Sequence, residues 1–125
     1  MAQPAAFDKA RAKAFTHRVI DDMAGAVKLH LCVIGVRLGL FPANGPADPA
    51  TFAARTGIEP RYAREWLEAM AAASYLEFDP ASGQFSLPAE HVRPLAEDTH
   101  PMYQGNLLNM LAYGMGPIEQ LIAAF

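Results

Sequence analysis

The side chains best suited to metal or nucleophilic chemistry are four histidines, His17, His30, His91 and His100, and one cysteine, Cys32. No two histidines stand at His-x-His or i,i+4 spacing and no carboxylate cluster accompanies them, so a metal site is not expected. A single cysteine excludes an intramolecular disulfide and a multi-cysteine zinc site, suits a reducing cytoplasm, and reads as a small buried apolar residue. Gly-x-Ser-x-Gly, P-loop and His-Glu-x-x-His motifs are absent. Gly114-Met-Gly116 is the one glycine signal. A nucleotide loop needs a strand before it, whereas the segment before Gly114 reads as helical and Pro117 follows, so a helix kink is expected. The most suggestive constellation lies on a helix expected from Met102, where Tyr103, Asn106, Leu107, Met110 and Tyr113 share one face. Aromatic, amide and thioether groups together suit the wall of a pocket for a small organic ligand, with a packed semi-polar interface as the competing reading.

The elements that position these residues follow from periodicity. Phe7, Ala14, Phe15, Val19 and Met23 recur at three- and four-residue steps, which predicts an amphipathic helix from Ala5 to about Gly25. Ala26 to Leu40 is long enough for a second helix and apolar on all sides through Cys32, Val33, Ile34 and Val36, so it must be buried between elements or between subunits. Pro42 to Pro46 is a break. Asp48-Pro49 opens a short helix that Gly57 stops, and Glu59-Pro60 opens another with an apolar stripe of Tyr62, Ala63, Trp66, Leu67, Met70 and Ala73. Leu76 to Phe78 and Gln84 to Leu87 alternate with period two around the turn formers Asp79 to Gly83, which predicts a β-hairpin with Leu76, Phe78, Phe85 and Leu87 inward. Pro88 to Glu97 reads as a short acidic helical or turn segment, and the last apolar run continues to Phe125 with no capping residue. The fold class is therefore mainly α, a winged helix-turn-helix with long N-terminal helices and a small two-stranded wing. We divide the chain into residues 1–41, 42–100 and 101–125.

Composition narrows the function. The chain has 125 residues, 52% hydrophobic and 18% charged, enough for one ordinary core. Its formal charge of −3 divides into +3 over residues 1–41 and −6 over residues 42–125. A winged helix often places its second helix in the DNA major groove, but here Arg61 and Arg64 are balanced by Glu65 and Glu68, and the wing carries Glu77 and Asp79 with no Lys or Arg. DNA binding is therefore not expected. The N-terminus lacks the basic and apolar regions of a secretory signal, and Lys28, His30 and Arg37 interrupt the longest apolar stretch, so a membrane span is not expected either.

Several strings together resemble a known arrangement. They are Leu29-His-Leu-Cys-Val-Ile-Gly-Val-Arg-Leu-Gly-Leu-Phe41, Thr51-Phe-Ala-Ala-Arg-Thr-Gly57, Arg61-Tyr-Ala-Arg-Glu-Trp-Leu-Glu-Ala-Met70 and Tyr75-Leu-Glu-Phe-Asp-Pro-Ala-Ser-Gly-Gln-Phe-Ser-Leu-Pro88. They resemble the N-terminal winged-helix domain of a bacterial class I S-adenosylmethionine-dependent methyltransferase family, over about Phe7 to Phe125. The resemblance implies a homodimer built through residues 5–41, and a lid over the substrate side of the active site. It implies that Tyr103, Asn106, Met110 and Tyr113 face a small-molecule methyl acceptor. S-adenosylmethionine is then the cofactor of the full-length enzyme. It is not expected to bind this chain alone, because the Rossmann-like catalytic domain and its Asp/Glu-x-Gly-x-Gly loop are missing from the sequence. On this reading the chain is a fragment, an isolated domain or a truncated product, inactive alone and cytoplasmic. Ser74 stands where the family usually has Gly. Two other classes remain open, a winged-helix transcriptional regulator that binds DNA and a stand-alone interaction module.

Overall fold

In the computed structural model, which describes residues 6–41, 45–114 and 116–124, the first element is opened by a carboxylate cap. Asp8 accepts hydrogen bonds from the amides of Ala10 (2.9 Å) and Arg11 (3.1 Å), and α1 (Lys9–Arg37) follows for 29 residues. The sequence predicts two helices here, the first from its periodicity and the second from its length, and the structure has one. It passes through Gly25, because a mid-helix glycine costs only about 1 kcal/mol relative to Ala and no proline interrupts the segment. Cys32, Val33 and Gly35 are buried against the rest of the domain, whereas every residue from 6 to 24 is exposed except the half-buried Ala12. Val27 and Ile34 of the segment from Ala26 to Leu40 stay exposed, so the domain's own elements do not cover it on every side. Residue 5 and residues 42–44 of the expected break lie outside the described residues.

The winged-helix core follows its punctuation closely. Asp48 accepts from the Thr51 amide at 2.8 Å to open α2 (Pro49–Thr56), and Gly57 ends it in the left-handed region at φ 72°. Glu59 accepts from the amides of Arg61 (2.9 Å) and Tyr62 (3.2 Å) to open α3 (Pro60–Ala72). Ala63, Trp66, Leu67 and Met70 are buried as expected, but Tyr62 is exposed at the edge of the stripe, where its hydroxyl keeps its water. α3 ends in a Schellman motif, with the Ser74 amide donating to Ala71 (2.9 Å) and the Tyr75 amide to Met70 (2.9 Å). That motif holds Ser74 at φ 64°, a conformation that favours glycine. The departure noted in the sequence thus falls on a residue whose backbone is strained.

The wing pairs β1 (Glu77–Asp79) antiparallel with β2 (Gln84–Ser86), with Phe78 opposite Phe85 and their ring centroids 4.7 Å apart. Ala47 adds an isolated bridge to Phe85 through two backbone bonds of 3.1 and 2.9 Å. Leu76 and Phe85 are buried, whereas Phe78 is half exposed, so the inner face of the hairpin is only partly covered. Beyond the wing come α4 (Ala89–Leu95), α5 (Gly105–Gly114) and α6 (Ile118–Ala124). α5 starts at Gly105 and not at Met102, because the Gln104 amide is bound to the Pro94 carbonyl (2.8 Å) and the Met102 amide to His100 Nδ1 (3.1 Å), which holds these residues in a turn. The expected kink is a break between two helices, and its Met115 lies outside the described residues.

The core forms where α1, α2 and α3 meet. Trp66 packs edge-on against Phe41 (5.2 Å, 65°) and nearly parallel to Phe52 (5.9 Å, 6°), and its indole N–H donates to the Leu31 carbonyl at 3.0 Å. Gly35 faces these rings from α1 with no room for a side chain. The result is a mainly helical winged helix-turn-helix with one long N-terminal helix.

Candidate functional site

The proposed acceptor-facing residues do not form a closed site by themselves. Tyr103 precedes the first turn of α5, and its ring folds over Gly105, where a Cβ would collide with it. Asn106, Met110 and Tyr113 do share one side of α5, and all three are exposed, Met110 at 64% and Tyr113 at 77%. Gly105 and Leu108 are the residues of α5 that are buried. Arg37, at the end of α1, fixes this helix: its Nε donates to Asn109 Oδ1 at 2.8 Å, and its guanidinium lies 5.2 Å from the Tyr113 ring centroid. Tyr113 is therefore engaged on one side by a cation. Leu107 points elsewhere, toward a cavity.

That cavity, of about 470 Å³, lies between α1, α4 and α5 and is walled mainly by leucines of those helices. Cys32, Ser74, Tyr75, His91 and Gln104 supply its polar side. Tyr75 and Cys32 both line the cavity, and His91 Nδ1 donates to the Tyr75 carbonyl at 2.8 Å. Burial pushes the Cys32 thiol above its ordinary range, and the neighbouring Tyr75 only partly opposes this. Burial also raises Tyr75, with the neighbouring Cys32 adding to the effect. Both groups stay protonated near neutral pH, so the cavity can bind apolar surface but offers no thiolate nucleophile. Sequence reasoning placed Cys32 correctly as a buried residue and missed this grouping, since 43 and 16 positions separate Cys32, Tyr75 and His91 along the chain. No spacing rule connects them.

The remaining candidates are quickly placed. Arg61, Arg64, Glu65 and Glu68 all lie on the exposed side of α3, so the mixed-charge face read from the sequence is the face that a groove-binding helix would present. Among the described residues no three His, Cys, Asp or Glu side chains are grouped to hold a metal ion. No described helix is long and apolar enough to cross a membrane.

The match to known proteins follows this architecture. A family model described as an Rv2258c-like winged helix-turn-helix domain matches residues 25–97, more than half of the chain. The chain belongs to this family. Beyond the family model, the Rv2258c-like domain is similar to solved structures of methyltransferases. The structure of PigF with SAH is 25% identical, with a TM-score of 0.73 over 86% of this chain and 32% of that one. An O-methyltransferase family protein from Burkholderia thailandensis is 19% identical, with a TM-score of 0.64 over 94% of this chain and 32% of that one. Human N-acetylserotonin methyltransferase in complex with SAM is also 19% identical at a TM-score of 0.64, over 88% of this chain and 32% of that one. At 19% identity the likeness is one of fold. The chain spans about a third of the length of these structures. No curated protein sequence matches it.

The residues described do not fit S-adenosylmethionine. Binding in a Rossmann-like domain needs a strand that runs into a glycine-rich turn ahead of a helix. The two strands among the described residues form the wing hairpin, and Gly114 ends a helix. No step of methyl transfer is therefore assigned to these side chains.

Proposed function

We propose that this Rv2258c-like domain is the N-terminal dimerisation and substrate-side lid domain of a class I S-adenosylmethionine-dependent O-methyltransferase. The observation that carries the reading is the overlap with PigF bound to SAH, at 25% identity across 86% of the chain. In this reading the cofactor and the methyl-transfer step belong to a Rossmann-like catalytic domain outside these 125 residues. Dimerisation runs through residues 5–41, whose helix α1 carries an apolar surface that the domain does not cover. Asn106, Met110 and Tyr113 on α5, with Tyr103 just ahead of it, meet a small-molecule acceptor and help to keep water from it. Arg37 orients that wall by holding Asn109 and Tyr113. The compartment is cytoplasmic.

The test uses the native protein from its source. Because the chain covers 32% of the PigF structure, its intact mass is expected to be roughly three times 13.5 kDa. It should turn S-adenosylmethionine into S-adenosylhomocysteine only when a hydroxylated small molecule is present, and Met110→Asp should raise the acceptor KM. A native mass of 13.5 kDa with salt-dependent binding to duplex DNA would overturn the reading in favour of a regulator.

A further inference from the structure

Two large apolar side chains stay in solvent where α1 meets α3, Leu38 at 59% exposed and Tyr62 at 69%. They flank a groove of about 590 Å³. Its walls are apolar: Leu31, Ile34 and Leu40 come from the α1 side, Ile58 and Ala69 from the α3 side, and Trp66 joins the two through its indole bond to Leu31. Two carboxylates complete the lining, Glu59 and Glu65, and no basic side chain is among the residues that form it. Glu59 spends its Oε2 on the amides of Arg61 and Tyr62. Glu65 is exposed, and among the described residues it forms no hydrogen bond or ion pair through its carboxylate. Tyr62 and Glu65 stand three residues apart on one face of α3, so an open aromatic ring and an unspent carboxylate are neighbours at the mouth of the groove.

We propose that this groove is a binding site for a small organic cation, a protonated amine or quaternary onium head on an apolar body. The head lies at Tyr62 and Glu65, where the ring face and the carboxylate both attract positive charge. The body lies along Leu38, Ile34 and Ile58, in a space of the size that small ligands occupy. Charge selects this class over others. A phosphate or carboxylate ligand would meet two like charges, and a neutral molecule would gain nothing from Glu65. The excess of −6 over residues 42–125 adds a general attraction for cations. The cavity between α1, α4 and α5 has no carboxylate in its lining and offers a cation no such partner. The groove takes no lining residue from α4, α5 or α6, so the site does not rest on the lid reading.

A pair of probes that match in size and shape and differ in sign, tetraphenylphosphonium and tetraphenylborate, tests the site. Each is titrated into the 125-residue protein, with the heat of binding read beside the emission of Trp66, the sole tryptophan and a wall of the groove. The expected result is saturable one-to-one binding of the cation with a change in Trp66 emission, and binding of the borate weaker by about tenfold or more. Glu65→Gln should weaken cation binding by about three- to tenfold, the effect of one exposed charge at contact distance, and Tyr62→Ala by a similar factor. Glu68→Gln removes the same charge from the exposed side of α3 without touching the groove, and should leave the affinity unchanged. All three positions are exposed, so far-UV circular dichroism should show an intact fold in each variant. Equal binding of the two ions would overturn the proposal by showing that the apolar walls act alone. Equal losses from Glu65→Gln and Glu68→Gln would overturn it by showing that net charge acts in place of a site. A cation that gives no saturable binding to the wild type would overturn it outright.

Discussion

Adding one methyl group to α1 should have opposite effects ten residues apart. At Gly35 a Cβ would come 2.6 Å from Phe41 Cε2 and 2.7 Å from Trp66 Cζ2, inside any permitted carbon–carbon contact. Neither ring can yield cheaply, since Phe41 and Trp66 are both buried and Trp66 is held by Phe52 on one side and by its bond to Leu31. Ala gains about 1 kcal/mol over Gly in helix propensity. Overpacking costs roughly 1–3 kcal/mol, and a strained or lost indole bond adds about 1 kcal/mol more. The net expectation for Gly35→Ala is a loss of about 1–3 kcal/mol. At Gly25 a Cβ meets nothing within 4 Å, so only the propensity gain remains, and Gly25→Ala should stabilise by about 0.5–1 kcal/mol. Urea unfolding at one fixed protein concentration, followed by Trp66 emission, measures both, because Trp66 is the sole tryptophan and sits at the contact. The expected order of midpoints is Gly25→Ala above wild type above Gly35→Ala. A Gly35→Ala protein as stable as wild type would refute the claim that the helix backbone is pressed against the aromatic core.

Ser74→Gly should stabilise the domain by about 0.5–1 kcal/mol, because the φ of 64° costs an L-residue about 1–2 kcal/mol and glycine returns part of that gain in the unfolded chain; the same denaturation curves would show a raised midpoint. Acid should weaken the fold through Asp48 and Asp79, whose carboxyls are held below the usual range, Asp48 by the Thr51 amide first and Asp79 by the Ser82 hydroxyl first. A depressed folded value means that their stabilisation is complete above the unfolded carboxylate value and is lost as pH falls from there through the folded value; an Asp48→Asn, Asp79→Asn protein should show a flatter Tm against pH below about pH 4. Arg37→Ala should remove the hold on Asn109 and Tyr113, at a cost of about 1 kcal/mol, and hydrogen exchange should quicken in α5 while α2 and α3 keep their protection.

Much of the fold was legible because its signals are local. Asp48-Pro49 with Gly57, Glu59-Pro60, and the turn formers from Asp79 to Gly83 act within one helical turn or one hairpin, so residue type alone places these boundaries. The acceptor-facing residues were legible as a helical pattern only in part: Asn106, Met110 and Tyr113 keep it, and Tyr103 leaves it because the Gln104 amide is already spent on Pro94. Residues at a boundary follow hydrogen bonds from distant segments, which periodicity does not contain.

By itself the sequence determined the class of fold, the caps and turns of the winged helix, and the charge balance across the outer face of α3. The tertiary structure decided the rest. It made α1 one helix across Gly25, buried its second half on Trp66 and Phe41, and left its first half in solvent. It also gathered Cys32, Tyr75 and His91 around one cavity. The physical reason is range. Capping and turn chemistry are settled by neighbours a few residues apart, whereas which apolar stripe is covered depends on how much complementary surface the rest of the chain can bring to it.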